Sequence, residues 1–172
     1  MILFTSDCHF GHKAITKYRN QFQSVEEHDA AIFDEMSKLN KRDILFVLGD
    51  FLFEGPQYEK YLHTISKMSC RIKLLMGNHD SIDLYNQNIA QNIEIQLPLF
   101  SYKNYWLSHC PIHPLELRNR EGNIHGHLHN AILPDPNYYD VGLDKNNFKL
   151  VDFEYIKETI KQNIEQNIEQ GN

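Results

Sequence analysis

The run Asp43-Ile44-Leu45-Phe46-Val47-Leu48-Gly49-Asp50 sets five apolar residues in a row between a carboxylate and a Gly-Asp pair. An unbroken apolar run of this length that stops at a turn former reads as a buried strand opening into a polar loop. The same design stands on either side of it. Upstream, Ile2-Leu3-Phe4-Thr5 stops at Ser6-Asp7-Cys8-His9; downstream, Arg71-Ile72-Lys73-Leu74-Leu75-Met76 stops at Gly77-Asn78-His79-Asp80. Between the first two, Ser24-Val25-Glu26-Glu27 has the S-x-x-E form of a capping box. Ile32, Phe33, Met36 and Leu39 follow at three-and-four spacing, which predicts an amphipathic helix over 24–40. After Gly55-Pro56 a second helix is expected from Gln57 to Met68. Strands separated by helices imply βαβ crossovers and a largely parallel sheet. Ligands of such sheets bind outside the carboxyl ends of the strands, so the three polar clusters are expected to meet in space.

Past residue 93 the rhythm shortens to β-like pieces: Ile93 to Leu97, Asn104 to Ser108, Gly122 to His125, Tyr138 to Leu143 and Phe148 to Phe153. These are expected to build a second sheet. The end of the chain, Glu154 to Asn172, spaces Ile156, Ile160, Ile164 and Ile168 four apart among Glu, Gln, Asn and Lys, which predicts a helix fraying toward Gly171.

With 172 residues the chain is long enough for one buried core and short for two, so a single domain over 1–172 is expected. Hydrophobic residues at 41% and charged residues at 23% exclude fibrous and unfolded classes. A net charge of −6 argues against a broad nucleic-acid-binding surface. The three cysteines, Cys8, Cys70 and Cys110, have no C-x-x-C spacing and imply neither a disulfide framework nor a cysteine zinc site. Reduced thiols, no signal-peptide pattern and no long apolar run together predict a cytoplasmic protein without a membrane span.

Histidine is the unusual feature: there are ten, most beside Asp, Asn or Gly at the ends of apolar runs. Asp7-x-His9 or Gly49-Asp50 alone is an ordinary loop. In order with Gly77-Asn78-His79-Asp80, Ser108-His109 and Gly126-His127-Leu128-His129, each closing a strand, they form a pattern that solvation does not explain.

In these blocks the sequence resembles the calcineurin-like metallophosphoesterase family, whose motifs run D-x-H, G-D-x-x-x-x-G, G-N-H-[ED], H and G-H-x-H. The resemblance covers roughly residues 1 to 130. Asp7-Cys8-His9-Phe10-Gly11-His12, Leu48-Gly49-Asp50-Phe51 and Ile124-His125-Gly126-His127 look like the small uncapped bacterial and phage members. The implied fold is α/β: two face-to-face β-sheets flanked by helices, an αββα sandwich with an open, shallow site at the loop end.

The implied ligand set is Asp7, His9 and His129 for one metal, Asn78, His109 and His127 for a second, and Asp50 as the bridge. Imidazole and oxygen ligands suit two divalent ions such as Mn, Fe, Zn or Co better than Mg or Ca. A water held between the ions, deprotonated near neutral pH, would be the nucleophile, and His79 would serve the leaving oxygen.

Phosphoprotein phosphatases carry an aspartate that orients the catalytic histidine and an arginine that binds phosphate; Phe53 and Glu54 stand in those places here. Their absence favours a singly charged phosphodiester, nucleotide-like and small, over a monoester. Phosphomonoester hydrolysis and a non-catalytic interaction scaffold are the alternatives, and the acidic balance makes a nucleic acid polymer a poor substrate.

His12, Tyr18 and Arg19 follow the first block, where a loop residue either reaches substrate or caps. His113, between prolines, either lines the pocket or serves a turn. His125 reads as a strand histidine or a substrate group, His28 and His63 as helix-surface residues, and Cys8 as a buried hydrophobe pointing away from the metals.

Overall fold

The computed structural model describes residues 1–85 and 90–169. Four parallel strands make up most of the first sheet: β1 (Ile2–Thr5), β2 (Ile44–Leu48), β3 (Arg71–Leu75) and β4 (Ile93–Ile95). A short β9 (Val151–Asp152) pairs antiparallel with β1, giving the order β4-β3-β2-β1-β9. The second sheet has the order β5-β6-β7-β8: Leu99–Tyr102, Tyr105–Ser108, Gly122–His125 and Tyr138–Asp140. Its last three strands are parallel, and β5 is antiparallel to β6.

Strand alternation builds the layers. Successive side chains point to opposite faces, so Leu3, Leu45, Val47, Ile72 and Leu74 meet Ile32, Met36, Leu62 and Ile65 of helices α1 (Val25–Ser37) and α2 (Tyr58–Ser66). Phe4, Phe46, Leu48 and Leu75 face the other way, onto Tyr105, Leu107 and Ile124 of the second sheet. Helix α4 (Phe153–Glu169) closes this second core with Phe153, Ile156 and Ile160. A one-turn α3 (Ile82–Tyr85) follows the third polar cluster. The result is the expected α/β sandwich. Ser24 caps α1 by accepting from the Glu27 N–H (3.1 Å), and the Glu27 carboxylate reaches back to Gln23.

Three expectations need correction. Ile93–Ile95 and Val151–Asp152 belong to the first sheet as its two edges, because their backbones pair with β3 and β1. Strand β5 was not foreseen: its hairpin turns at Lys103-Asn104 with Lys103 at φ 51°, so no glycine marks the turn. Phe148 starts no strand, since Asn147 and Phe148 both have positive φ and break the extended path. The expected fraying toward Gly171 lies outside the described residues.

Candidate metal centre

Each strand of the parallel core ends at the same rim of the sandwich, and the loops that leave there carry the predicted residues. The backbone turns sharply to deliver them: Asp7, His9, Asp50, His127 and His129 all have φ between +48° and +73°. Non-glycine residues rarely adopt this region, and such strain concentrates at functional sites. Close approach demands glycine nearby. A Cβ on Gly77 would lie 2.2 Å from Asp50 Oδ1, and one on Gly49, at φ +91°, would lie 2.3 Å from His109 Nδ1.

Two clusters of donor atoms result. In one, His109 Nε2 lies 3.0 Å from Asn78 Oδ1, 3.2 Å from His127 Nδ1 and 3.4 Å from Asp50 Oδ1. His109 Nδ1 is committed to the Leu48 carbonyl (2.7 Å), which turns Nε2 toward the other donor atoms of the cluster. Nitrogen and oxygen donors gathered this closely suit a cation between them. In the other cluster, His9 Nε2 lies 3.7 Å from Asp50 Oδ2, and His129 Nε2 lies 3.9 Å from Asp7 Oδ1. The second Asp7 oxygen accepts from the His127 N–H (2.9 Å), whereas Asp7 Oδ1 is buried with no hydrogen-bond partner. An orphaned buried carboxylate oxygen is costly in the metal-free protein, and a divalent ion would satisfy it. The donor set therefore fits metal.

Charge follows the same geometry. Burial pushes the Asp7 carboxyl up. Burial pushes Asp50 up too, but the hydrogen bond and charge of His109 outweigh it and leave Asp50 lowered to about 2. Burial lowers His9 to about 3, so its ring is neutral at neutral pH, as a metal ligand requires.

Supporting groups outside the expected ligand set hold these ligands. Asp144 Oδ2 accepts from His129 Nδ1 (2.8 Å), fixing the ring with Nε2 toward Asp7. Asp80 accepts from the N–H groups of Gly77 (2.8 Å), Phe51 (3.0 Å) and Leu52 (3.3 Å), tying the third cluster to the second, and also from the Tyr85 hydroxyl (3.1 Å). Asp80 was legible as the last letter of G-N-H-D; Asp144 carries no motif. Cys110 Sγ lies within 4.8 Å of ligand atoms of His109 and His127, beside the centre rather than apart from it.

The remaining candidates separate. His79 and His12 both line a cavity of about 460 Å³ that opens on His9 and His129. The His79 ring stands edge-on to His9 (centroids 5.4 Å) and 5.9 Å from Phe53, and its backbone N–H donates to Asp50 Oδ1 (2.9 Å). Arg19, expected as a substrate group, is 2% exposed and bound by the protein. It donates to both Asp144 carboxylate oxygens (2.8 Å each), to the Asp7 carbonyl (2.7 Å) and to His28 Nε2 (2.7 Å). His28 is accordingly buried rather than at the surface, with Nδ1 against Asp29 (2.7 Å). His113 caps a 3-10 turn at Pro114–Glu116 by accepting from the Leu115 N–H (3.2 Å), which is the turn role and not the pocket role. His125 is a buried strand histidine bonded to the Gly126 carbonyl (2.9 Å), His63 is exposed, and Cys8 is fully buried in the core.

Imidazoles, carboxylates and one amide oxygen, set at the carboxyl ends of parallel strands, are the donor set of a metal-binding protein. The family model for calcineurin-like phosphoesterases matches residues 1–166, and the chain belongs to that family. It is 29% identical over 161 residues to the Gene 66 protein of Mycobacterium phage L5, covering 76% of this chain and 78% of that one. A shorter segment, 62 residues at 29% identity, resembles the Probable cyclic nucleotide phosphodiesterase CBUA0032 of Coxiella burnetii, covering 35% of this chain and 25% of that protein. Among solved structures, AQ665 from Aquifex aeolicus shares the fold, with a TM-score of 0.70 at 23% identity over 92% of this chain and 98% of that one. Among the described residues no helix is long and apolar enough to cross a membrane.

Proposed function

We propose that the protein is a phosphodiesterase that works with two divalent transition-metal ions (Mn, Fe, Zn or Co) on a small, nucleotide-like phosphodiester. One observation carries this reading: the two oxygens of Asp50 face different clusters, Oδ2 toward His9 and Oδ1 toward His109, as a carboxylate shared by two ions must. Asp7, His9 and His129 would hold one ion, and Asn78, His109 and His127 the other. When bound, such a pair activates water near neutral pH and neutralises phosphoryl charge.

The chain's own residues supply the rest. His79, at the cavity edge beside His9, holds a proton for the departing oxygen. Phe53 packs against it where phosphoprotein phosphatases place an orienting aspartate. Arg19 is bound to Asp144, and Glu54 is exposed and lines a neighbouring cavity, so among the described residues no free guanidinium stands beside the centre to receive a dianion. This supports a diester over a monoester. The resemblance of one segment to a cyclic nucleotide phosphodiesterase points the same way. A purely binding scaffold has no use for an open histidine at the mouth of the ligand cluster. All three cysteines are free, which suits the reducing cytoplasm.

The test is elemental analysis together with parallel kinetics on a matched aryl diester and monoester after Mn reconstitution. Two ions per chain and faster diester cleavage are expected. One ion at saturating Mn would remove the dinuclear reading, and a monoester preference would remove the diester reading.

A further inference from the structure

The cavity that opens on His9, His79 and His129 continues away from the metal ligands as an aromatic surface. Phe53 lies 5.9 Å from the His79 ring, the His12 ring lies 4.5 Å from Phe53, and Tyr18 lies 6.4 Å from His12 and nearly parallel to it (14°). These rings form one row that starts at the histidine assigned to the leaving oxygen. Tyr18 is 75% exposed and so accessible to a ligand, and the buried Ile15 lines the same cavity.

The charge of the wall is as informative as its shape. Apart from histidines, the basic side chain lining it is Arg19, whose donors are committed to Asp144, the Asp7 carbonyl and His28. Among the described residues lining it, an arm bearing another phosphate would find no free guanidinium or ammonium, and an aliphatic arm would leave the ring faces without a stacking partner. A neutral planar ring would stack on them, and the exposed amide of Asn130 at the rim can pair with polar atoms on such a ring's edge.

We propose that this row is a nucleobase subsite: Tyr18, His12 and Phe53 receive the base of the nucleoside that leaves past His79. The inference rests on the phosphodiesterase reading for its direction, but binding at the subsite can be measured without turnover. Base-on-aromatic stacking changes affinity on the order of fivefold or more when one ring is removed.

The first arm titrates Mn-loaded protein with 2-aminopurine riboside, a fluorescent nucleoside without phosphate. Saturable quenching is expected, weakened at least fivefold in Tyr18→Leu and in Phe53→Leu and retained in Phe53→Trp. Tyr18 is exposed enough that its replacement does not threaten folding. Absence of saturable quenching, or quenching unchanged in both leucine variants, overturns the subsite.

The second arm compares thymidylyl-thymidine with its analogue in which the leaving sugar lacks a base, so that the leaving oxygen is the same. A kcat/KM ratio of about tenfold or more is expected, falling toward one in Tyr18→Leu. Equal cleavage of the two diesters overturns the subsite and leaves the phosphodiesterase reading standing. Nucleoside quenching with neither diester cleaved does the opposite.

Discussion

Asp50 is the residue that faces both clusters of donor atoms. Its oxygens face His9 at 3.7 Å and His109 at 3.4 Å, and its Oδ1 also accepts from the His79 N–H. Asp50→Asn replaces one oxygen with an amide nitrogen that cannot ligate, so metal content should fall below two per chain and hydrolysis by a factor of a hundred or more, on the order of a lost metal ligand or its support. Cys8→Ala, made in the core behind the loop, should keep both metals and cost only about 1 kcal/mol of stability. Elemental analysis and thermal melting of the two variants separate these outcomes. Asp144 acts one step further out, through His129. Its replacement by alanine frees the imidazole and leaves Arg19 buried without its carboxylate, so metal affinity should drop about 10- to 100-fold.

Asp144 also has a signature in pH. Burial would raise its carboxyl, but the bonds from His129 and Arg19 outweigh burial and hold it well below the usual carboxylate value of 3.8. A lowered folded pKa contributes stability above the unfolded value that is lost as pH falls below it. The metal-free protein should therefore lose melting temperature between pH 5 and pH 2.5, and Asp144→Asn should lose less over the same interval.

At the scale of the element, short strands place the ligands and the glycines between them let the loops approach. Gly77→Ala would drive a Cβ into the Asp50 carboxylate and backbone, so metal binding should fail even in protein that remains folded by far-ultraviolet circular dichroism. Helix α4 contributes differently. Ile160 is 1% exposed in the core shared with the second sheet, and Ile160→Ala should cost about 2–5 kcal/mol in denaturant unfolding without altering metal stoichiometry. The capping box and the three-and-four spacing of α1 were readable because both are local. The β5–β6 hairpin was not, because its turn uses Lys103 at positive φ where a glycine would have announced it.

For the whole molecule, the proposed function makes metal a folding partner. Asp7 and Asp50 share the site with neither paired by lysine or arginine among the described residues, so the metal-free protein carries an electrostatic cost that bound cations relieve. Saturating Mn at a hundred times its dissociation constant should add about 2.7 kcal/mol per site. A rise in melting temperature on adding Mn, reversed by chelator together with activity, is the expected observation.

The sequence by itself determined the parallel core, the α/β class and the ligand candidates, because apolar runs, caps and strand-end motifs are encoded within a few residues of one another. Only the tertiary structure decided that β4 and β9 edge the first sheet, and that Arg19 and His28 are buried supports rather than surface or substrate groups. Only it brought Asp144 to His129. Those outcomes rest on pairings between residues far apart in the chain, such as Arg19 with Asp144, 125 positions away. A long-range hydrogen bond leaves no periodicity, cap or turn signal at either end; it exists only once packing has brought the two loops to the same rim.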